Sequence, residues 1–146
     1  MCLEEASQMK KIKVDKKLLK KIAKSYLLDF IIIFGSKVTG RDRRESDIDV
    51  AVKFKEKFPS IQKRGKIYAE LFTEISGCFP QQKVDLVFLE EVPLHFQFKI
   101  VTEGEIMYAS SLNKALEFKE RIINIYCDYK FFIDQYFEGI KERIIS

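Results

Sequence analysis

The sequence is poor in the features that specialised architectures require. Its three cysteines, Cys2, Cys78 and Cys127, stand far apart, with no C-x-x-C spacing and an odd count. Neither a disulfide framework nor a zinc site is indicated, and a reducing cytoplasm fits best. With only 6 Gly and 3 Pro, no low-complexity tract, 47% hydrophobic and 33% charged residues, the chain is not disordered. Its longest apolar run, Phe30 to Phe34, falls far short of the ~20 residues needed to cross a bilayer. The opening segment MCLEEASQMKKIKVDKK has acids where an export signal has a basic patch, and no apolar run follows. Neither a membrane span nor secretion is expected. Lys+Arg 26 against Asp+Glu 22 leaves +4, an excess that favours anionic ligands without the strong basic bias of a dedicated nucleic-acid binder. Direct nucleic-acid binding is therefore not expected. The single histidine, His95, has no Cys, Ser or second His at a useful spacing and reads as a packing or surface residue.

A length of 146 residues fits one domain. Val14, Leu18, Leu19, Ile22, Ala23, Tyr26 and Leu27 recur at helical spacing behind the N-cap candidate Asp15, which predicts a helix over 16–28. Phe30-Ile31-Ile32-Ile33-Phe34 is β-branched and aromatic and stops at Gly35, as a central strand buried on both faces does. After a polar loop, 37–46, residues 47–54 alternate: Ile48, Val50 and Val52 share one face, Asp47, Asp49 and Ala51 the other. A helix is predicted over 61–76, closed by Gly77, then a third strand from Val84 in which Asp85 is the one charge among apolar neighbours. A lone buried carboxylate needs a partner or a metal. Pro93 opens a helix to Glu103, Gly104 stops it, and 106–108 add a short strand. From Leu112 to Ile145 the apolar spacing is helical, with Gly139 placed to kink or divide it. As one helix it would reach about 50 Å, longer than a domain of this size is wide. The expected organisation is a core over 1–110 and a C-terminal helical extension over 111–146, either part of the same domain or a docking element.

The chemical signal is IIIFGSKVTGRDRRESDIDVAV: Gly35-Ser36, ten residues, then Asp47-Ile48-Asp49. A Gly-Ser at the end of a buried strand lets a phosphate approach the backbone, with Ser36 as the expected contact. Two aspartates one residue apart on a strand lie about 7 Å apart and can straddle a pair of Mg²⁺ ions ~3.5–4 Å apart. Hard carboxylate oxygens suit that hard cation. A third carboxylate from a neighbouring strand would complete the site, and Asp85 is the residue available. The P-loop reading of Gly35 to Gly40 fails, because Arg41-Asp42 replaces the Lys-Ser/Thr that such a loop needs.

This combination resembles the nucleotidyltransferase superfamily with a DNA polymerase β type of core, and within it the minimal nucleotidyltransferase (MNT) branch, the MntA-type antitoxins. Gly35, Ser36, Asp47 and Asp49 match the GSx10DxD signature, and Asp85 in KVDLVFLE is similar to the third metal-binding aspartate. The resemblance implies an α/β (α+β) fold with a mixed sheet flanked by helices. It implies an Mg²⁺-dependent enzyme, with ATP as donor, that transfers AMP to a hydroxyl. The acceptor it implies is a tyrosine of a HEPN-domain RNase toxin, silenced by the modification in the cytoplasm. Val38-Thr39 depart from the Ala-Arg of many relatives, so an arginine contact to the triphosphate falls to Arg41, Arg43 or Arg44, with Lys37 as a further basic candidate.

Two other readings stand beside this one. In the first, the chain is an antitoxin acting by binding and occlusion alone. In the second, it is a small-molecule nucleotidyltransferase of the aminoglycoside-modifying type, for which it has little material for a second substrate-binding domain. In the last helix, Ile123, Tyr126, Ile133 and Phe137 form an apolar flank beyond what one core stripe needs, which points to a protein partner. Self-association as a homodimer would cover that flank equally well.

Overall fold

Asp15 starts the first helix as expected: its carboxylate accepts from the Leu18 N–H at 3.1 Å and satisfies one of the orphan donors of the first turn. The computed structural model describes residues 12–35 and 47–145. Helix α1 (Lys16–Ser25) buries Leu19, Ile22 and Ala23 and ends earlier than its periodicity suggests. The chain turns at Tyr26 and Leu27, Leu27 taking a positive φ of 54°, to enter β1 (Leu28–Phe34). Every residue of β1 is buried. It lies between β2 (Ile48–Phe54) and β4 (Glu105–Ala109) and pairs antiparallel with both.

Helix α2 (Ile61–Ser76) carries the chain over to β3 (Val84–Phe88), which pairs parallel with β2, so the sheet is mixed and its order is β3-β2-β1-β4. A parallel pair needs such a crossover, whereas the antiparallel pairs do not. After a short 3₁₀ turn at Leu89–Glu91, α3 (Leu94–Glu103) precedes β4, and α4 (Leu112–Ile145) closes the chain. Among the described residues no helix is long and apolar enough to cross a membrane.

The period-two alternation of the strands divides the core into two clusters. Ile31, Ile33, Ile48, Val50 and Val52 pack with Leu19 and Ile22 of α1 and Leu71 and Ile75 of α2. Phe30, Ile32, Phe34 and Ala51 pack with Ile100 and Val101 of α3 and Ala115 and Ile122 of α4. Gly104 is small because Ile32 and the Ile33 carbonyl occupy the space where a Cβ would go. Asp29, a buried carboxylate with no local sequence signal, accepts from the Ser110 hydroxyl at 3.0 Å, and Lys53 lies 3.9 Å away.

Gly139 does not divide the last helix, which runs unbroken for 34 residues. Its flank differs from the expected one. Ile123 packs into the second cluster and Tyr126 stacks on Phe98 with ring centroids 4.2 Å apart, so both belong to the core side. The exposed aromatics are Tyr129, Phe131, Phe132, Tyr136 and Phe137. An α-helix brings residues three and four apart onto one side, and the tight packing of the first half ends near Tyr126. Ile122→Ala is expected to destabilise the domain by about 2–5 kcal/mol, while deletion of residues 128–146 leaves the melting temperature of the core nearly unchanged. Calorimetry on both variants checks this, and a large loss on deletion would mean that the distal half carries core packing.

Candidate active site

The sequence of β2 puts Asp49 on the same face as Ala51, and that of β3 puts Asp85 on the same face as Val87; Ala51 and Val87 both belong to the second core cluster. The parallel register then makes Asp49 and Asp85 direct Cα partners. Their backbones are therefore one interstrand spacing apart, about 4.8 Å. The Ile48 N–H donates to the Lys83 carbonyl at 2.7 Å and holds this register where the two strands begin. Asp47 precedes β2 and is exposed, and Asp49 is half-buried.

Asp85 is exposed, which corrects the expectation of a buried lone carboxylate. Its strand lies at the edge of the sheet, where the covering helices leave this position open. Alternation with apolar neighbours marks its face, but edge placement decides its contact with solvent.

Burial, then the Asp85 charge, then the Asp47 charge raise the pKa of Asp49, while Lys99 of α3 opposes them. Like charges brought together disfavour ionisation, so three acidic groups converge electrostatically at this end of the sheet. Among the described residues no three His, Cys, Asp or Glu side chains already point to one common ion position. The donor set nevertheless fits a hard divalent cation: its oxygens are carboxylates, Asp49 and Asp85 are lateral partners with Asp47 just before β2, and they repel one another. A cation between them would relieve that repulsion.

Gly35 ends β1 with φ +98°, and the position its Cβ would take coincides with the Asp49 carboxylate. The glycine is thus required by backbone conformation and by the neighbouring acid alike. Sequence reasoning expected a phosphate to need this space; in the structure Asp49 itself fills it. Ser36, Lys37, Arg41, Arg43 and Arg44 lie outside the described residues. His95 is exposed on α3.

Lys99 is not legible in the sequence, where basic residues cluster in the loop after Gly35. The one trace it leaves is that of a lone lysine in a largely apolar helix. Nothing local connects it to Asp49. A cavity of about 520 Å³ lined by Tyr26, Leu27, Phe54, Lys57 and Ile67 lies at the other end of the sheet and contains none of the acidic residues of the site.

The family model for polymerase β nucleotidyltransferases matches residues 16–113. No curated protein sequence matches the chain significantly. Solved structures share its fold. A chain of a toxin-antitoxin complex with AMP-PNP superposes with a TM-score of 0.65 at 22% identity, over 87% of this chain and 98% of that one. A chain of an MntA-HepT toxin-antitoxin complex gives 0.59 at 20% identity, over 86% and 95%. A chain of the complex between a tri-AMPylated Shewanella oneidensis HEPN toxin and an MNT antitoxin gives 0.59 at 20% identity, over 86% and 94%.

Two outcomes follow from the geometry. Because the native state holds the Asp49 proton to higher pH than the unfolded chain does, stability falls as pH rises from the ordinary carboxylate range through the raised native value. Asp49→Asn should therefore raise the neutral-pH melting temperature measured without divalent cations and flatten this slope; an unchanged profile would contradict the repulsion. Gly35→Ala should destabilise the fold by about 1–3 kcal/mol through its left-handed backbone. The double variant Gly35→Ala/Asp49→Ala should recover only the part due to the collision, as denaturant titration would read.

Proposed function

Because the chain belongs to the polymerase β nucleotidyltransferase family, we propose that it is an antitoxin that transfers AMP from ATP to a hydroxyl, a tyrosine, of a HEPN-type RNase toxin and so neutralises it. The observation that carries the chemistry is the Asp49–Asp85 register, with Asp47 beside it and Gly35 against the Asp49 carboxylate. Two paired acids on one sheet face, with a third just before β2 and a glycine turn beside them, are suited to divalent-cation phosphoryl transfer. The fold shared with toxin-antitoxin complexes supports the choice of partner.

In this reading Asp47, Asp49 and Asp85 hold Mg²⁺, two ions in the full complex, and Gly35 and Ser36 contact the nucleotide phosphates. Bound Mg²⁺ would neutralise charge on the phosphoryl oxygens and ease ionisation of the acceptor hydroxyl. Asp85, at the open sheet edge, lies where a macromolecular hydroxyl can arrive, and Gly35 lies on the opposite side of Asp49. The acceptor oxygen forms a bond to the α-phosphorus, the bond from that phosphorus to the pyrophosphate oxygen breaks, and the hydroxyl proton is lost through the acidic cluster to solvent. Asp49 centres this row.

The segment after residue 110 serves as the docking element. Tyr129, Phe132, Tyr136 and Phe137 supply exposed aromatic surface of the kind enriched in interface anchors. Such a helix gives the small core the second surface that acceptor recognition requires. The exposed edge at Asp85 and the helix are both accessible to a protein, which favours a protein acceptor over a small molecule enclosed in a pocket.

The test incubates the full chain with ATP, Mg²⁺ and a HEPN-type toxin protein. The partner's mass should rise by one or more AMP units, and Asp47→Asn or Asp49→Asn should slow transfer by about 10²-fold or more while the fold is kept. A stable complex with a partner of unchanged mass would establish occlusion instead. Transfer to an aminoglycoside, with none to the protein, would establish the small-molecule reading.

A further inference from the structure

Lys99 has no role in the family signature, yet its place in the fold is specific. Helix α3 leaves the 3₁₀ turn after β3 and ends at Gly104, whose Cβ position is 3.0 Å from the Ile33 carbonyl of β1. Within it, the Phe96 ring meets the Phe34 ring edge-on at 5.9 Å. Phe34 is the last residue of β1 and the Cα partner of Asp49. Lys99 follows Phe96 by three positions, one helical turn along the same side. It is exposed. Among the described residues no carboxylate lies within ion-pair distance of its ammonium.

Across the sheet the order is therefore Asp85 on β3, Asp49 on β2 and Gly35 at the end of β1, with α3 from Phe96 onward above β1. Phosphoryl transfer displaces its leaving group in line, opposite the attacking oxygen. With the acceptor entering at the Asp85 edge, the leaving oxygen points to the β1 side, and the aspartates on β2 and β3 can only repel the charge it gains. Lys99 is the described cation placed to offset it. A lysine suits this task, because a compact ammonium on a flexible stem follows a departing group without demanding a planar fork.

We propose that Lys99 binds the pyrophosphate portion of the nucleotide, stabilising the group that leaves when the α-phosphate is transferred. The assignment rests on the nucleotidyl-transfer reading above. The acceptor oxygen attacks the α-phosphorus, the bond to the bridging oxygen breaks, and that oxygen keeps the electron pair as pyrophosphate charge beside the Lys99 ammonium. The competing role is purely structural, a neutraliser of Asp49 that never touches the nucleotide. The two differ in which ligands sense the residue: a leaving-group contact acts on ATP and pyrophosphate, whereas a neutraliser of Asp49 acts on stability and on every ligand of the site.

The experiment titrates the full chain, with Mg²⁺, calorimetrically against ATP, AMP and inorganic pyrophosphate. Lys99→Met keeps the aliphatic stem and removes the charge. It should weaken ATP and pyrophosphate by roughly tenfold or more, as loss of a charged hydrogen bond does, and leave AMP unchanged. Lys99→Arg should retain most of the affinity. Lys20→Met, the same charge change on α1 behind the other sheet face, should alter none of the three. Equal weakening of AMP and ATP, or unchanged pyrophosphate binding, overturns the Lys99 assignment while transfer by the wild type leaves the functional reading standing. A wild type that neither binds ATP nor transfers overturns both.

Discussion

The parallel pairing of β2 with β3 brings Asp49 and Asp85 side by side, and much of the structure serves to hold two like charges in that register. The arrangement carries a cost: burial and the neighbouring acids make the Asp49 carboxyl reluctant to ionise. Main-chain bonds hold it in place. The Ile48 N–H bonds the Lys83 carbonyl at the start of the pair, and the Tyr68 hydroxyl of α2 donates to the Leu86 carbonyl at 2.7 Å further along β3. The helix that makes the parallel crossover also braces the strand it delivers. Because α2 packs on the other side of the sheet, the acidic face remains accessible.

The two faces of the sheet consequently differ in what they do. One is covered by α1 and α2 and is closed around Leu19, Ile22, Leu71 and Ile75. The other is covered by α3 and the first half of α4, which leave the Asp85 edge open and bring Lys99 to the β1 side. Gly35 joins the two ends of this arrangement. Its positive φ turns the chain away at the end of β1, and its missing side chain makes room for the Asp49 carboxylate. Stability and site geometry meet at this position, so a substitution there acts on both.

Local patterns were legible where a residue's environment repeats with the period of its own element. Asp15 as an N-cap, helix 61–76, the strand ending at Gly35 and the alternation of Ile48, Val50 and Val52 against Asp49 and Ala51 all appear in the structure. Asp85 shows the limit of that method. Alternation identified its face, but only the strand order shows that β3 is an edge and that the carboxylate meets solvent. Ile123 and Tyr126 show the same limit on a helix, since both lie on an apparent surplus flank and both pack, Tyr126 through its stack on Phe98. Asp29 leaves no local signal because its partner Ser110 lies far away in the chain.

By itself the sequence determined the elements, the acids that share a strand face and the family signature, because these depend on spacings of a few residues along one chain segment. Tertiary structure alone decided that Asp49 and Asp85 are lateral partners, that Gly35 abuts the Asp49 carboxylate, and that Lys99 is the described cation acting on that acid. Each of these relates elements far apart in the chain. Strand order, relative direction and helix placement create such contacts by burying two apolar faces of one sheet, and no short segment encodes that collective balance.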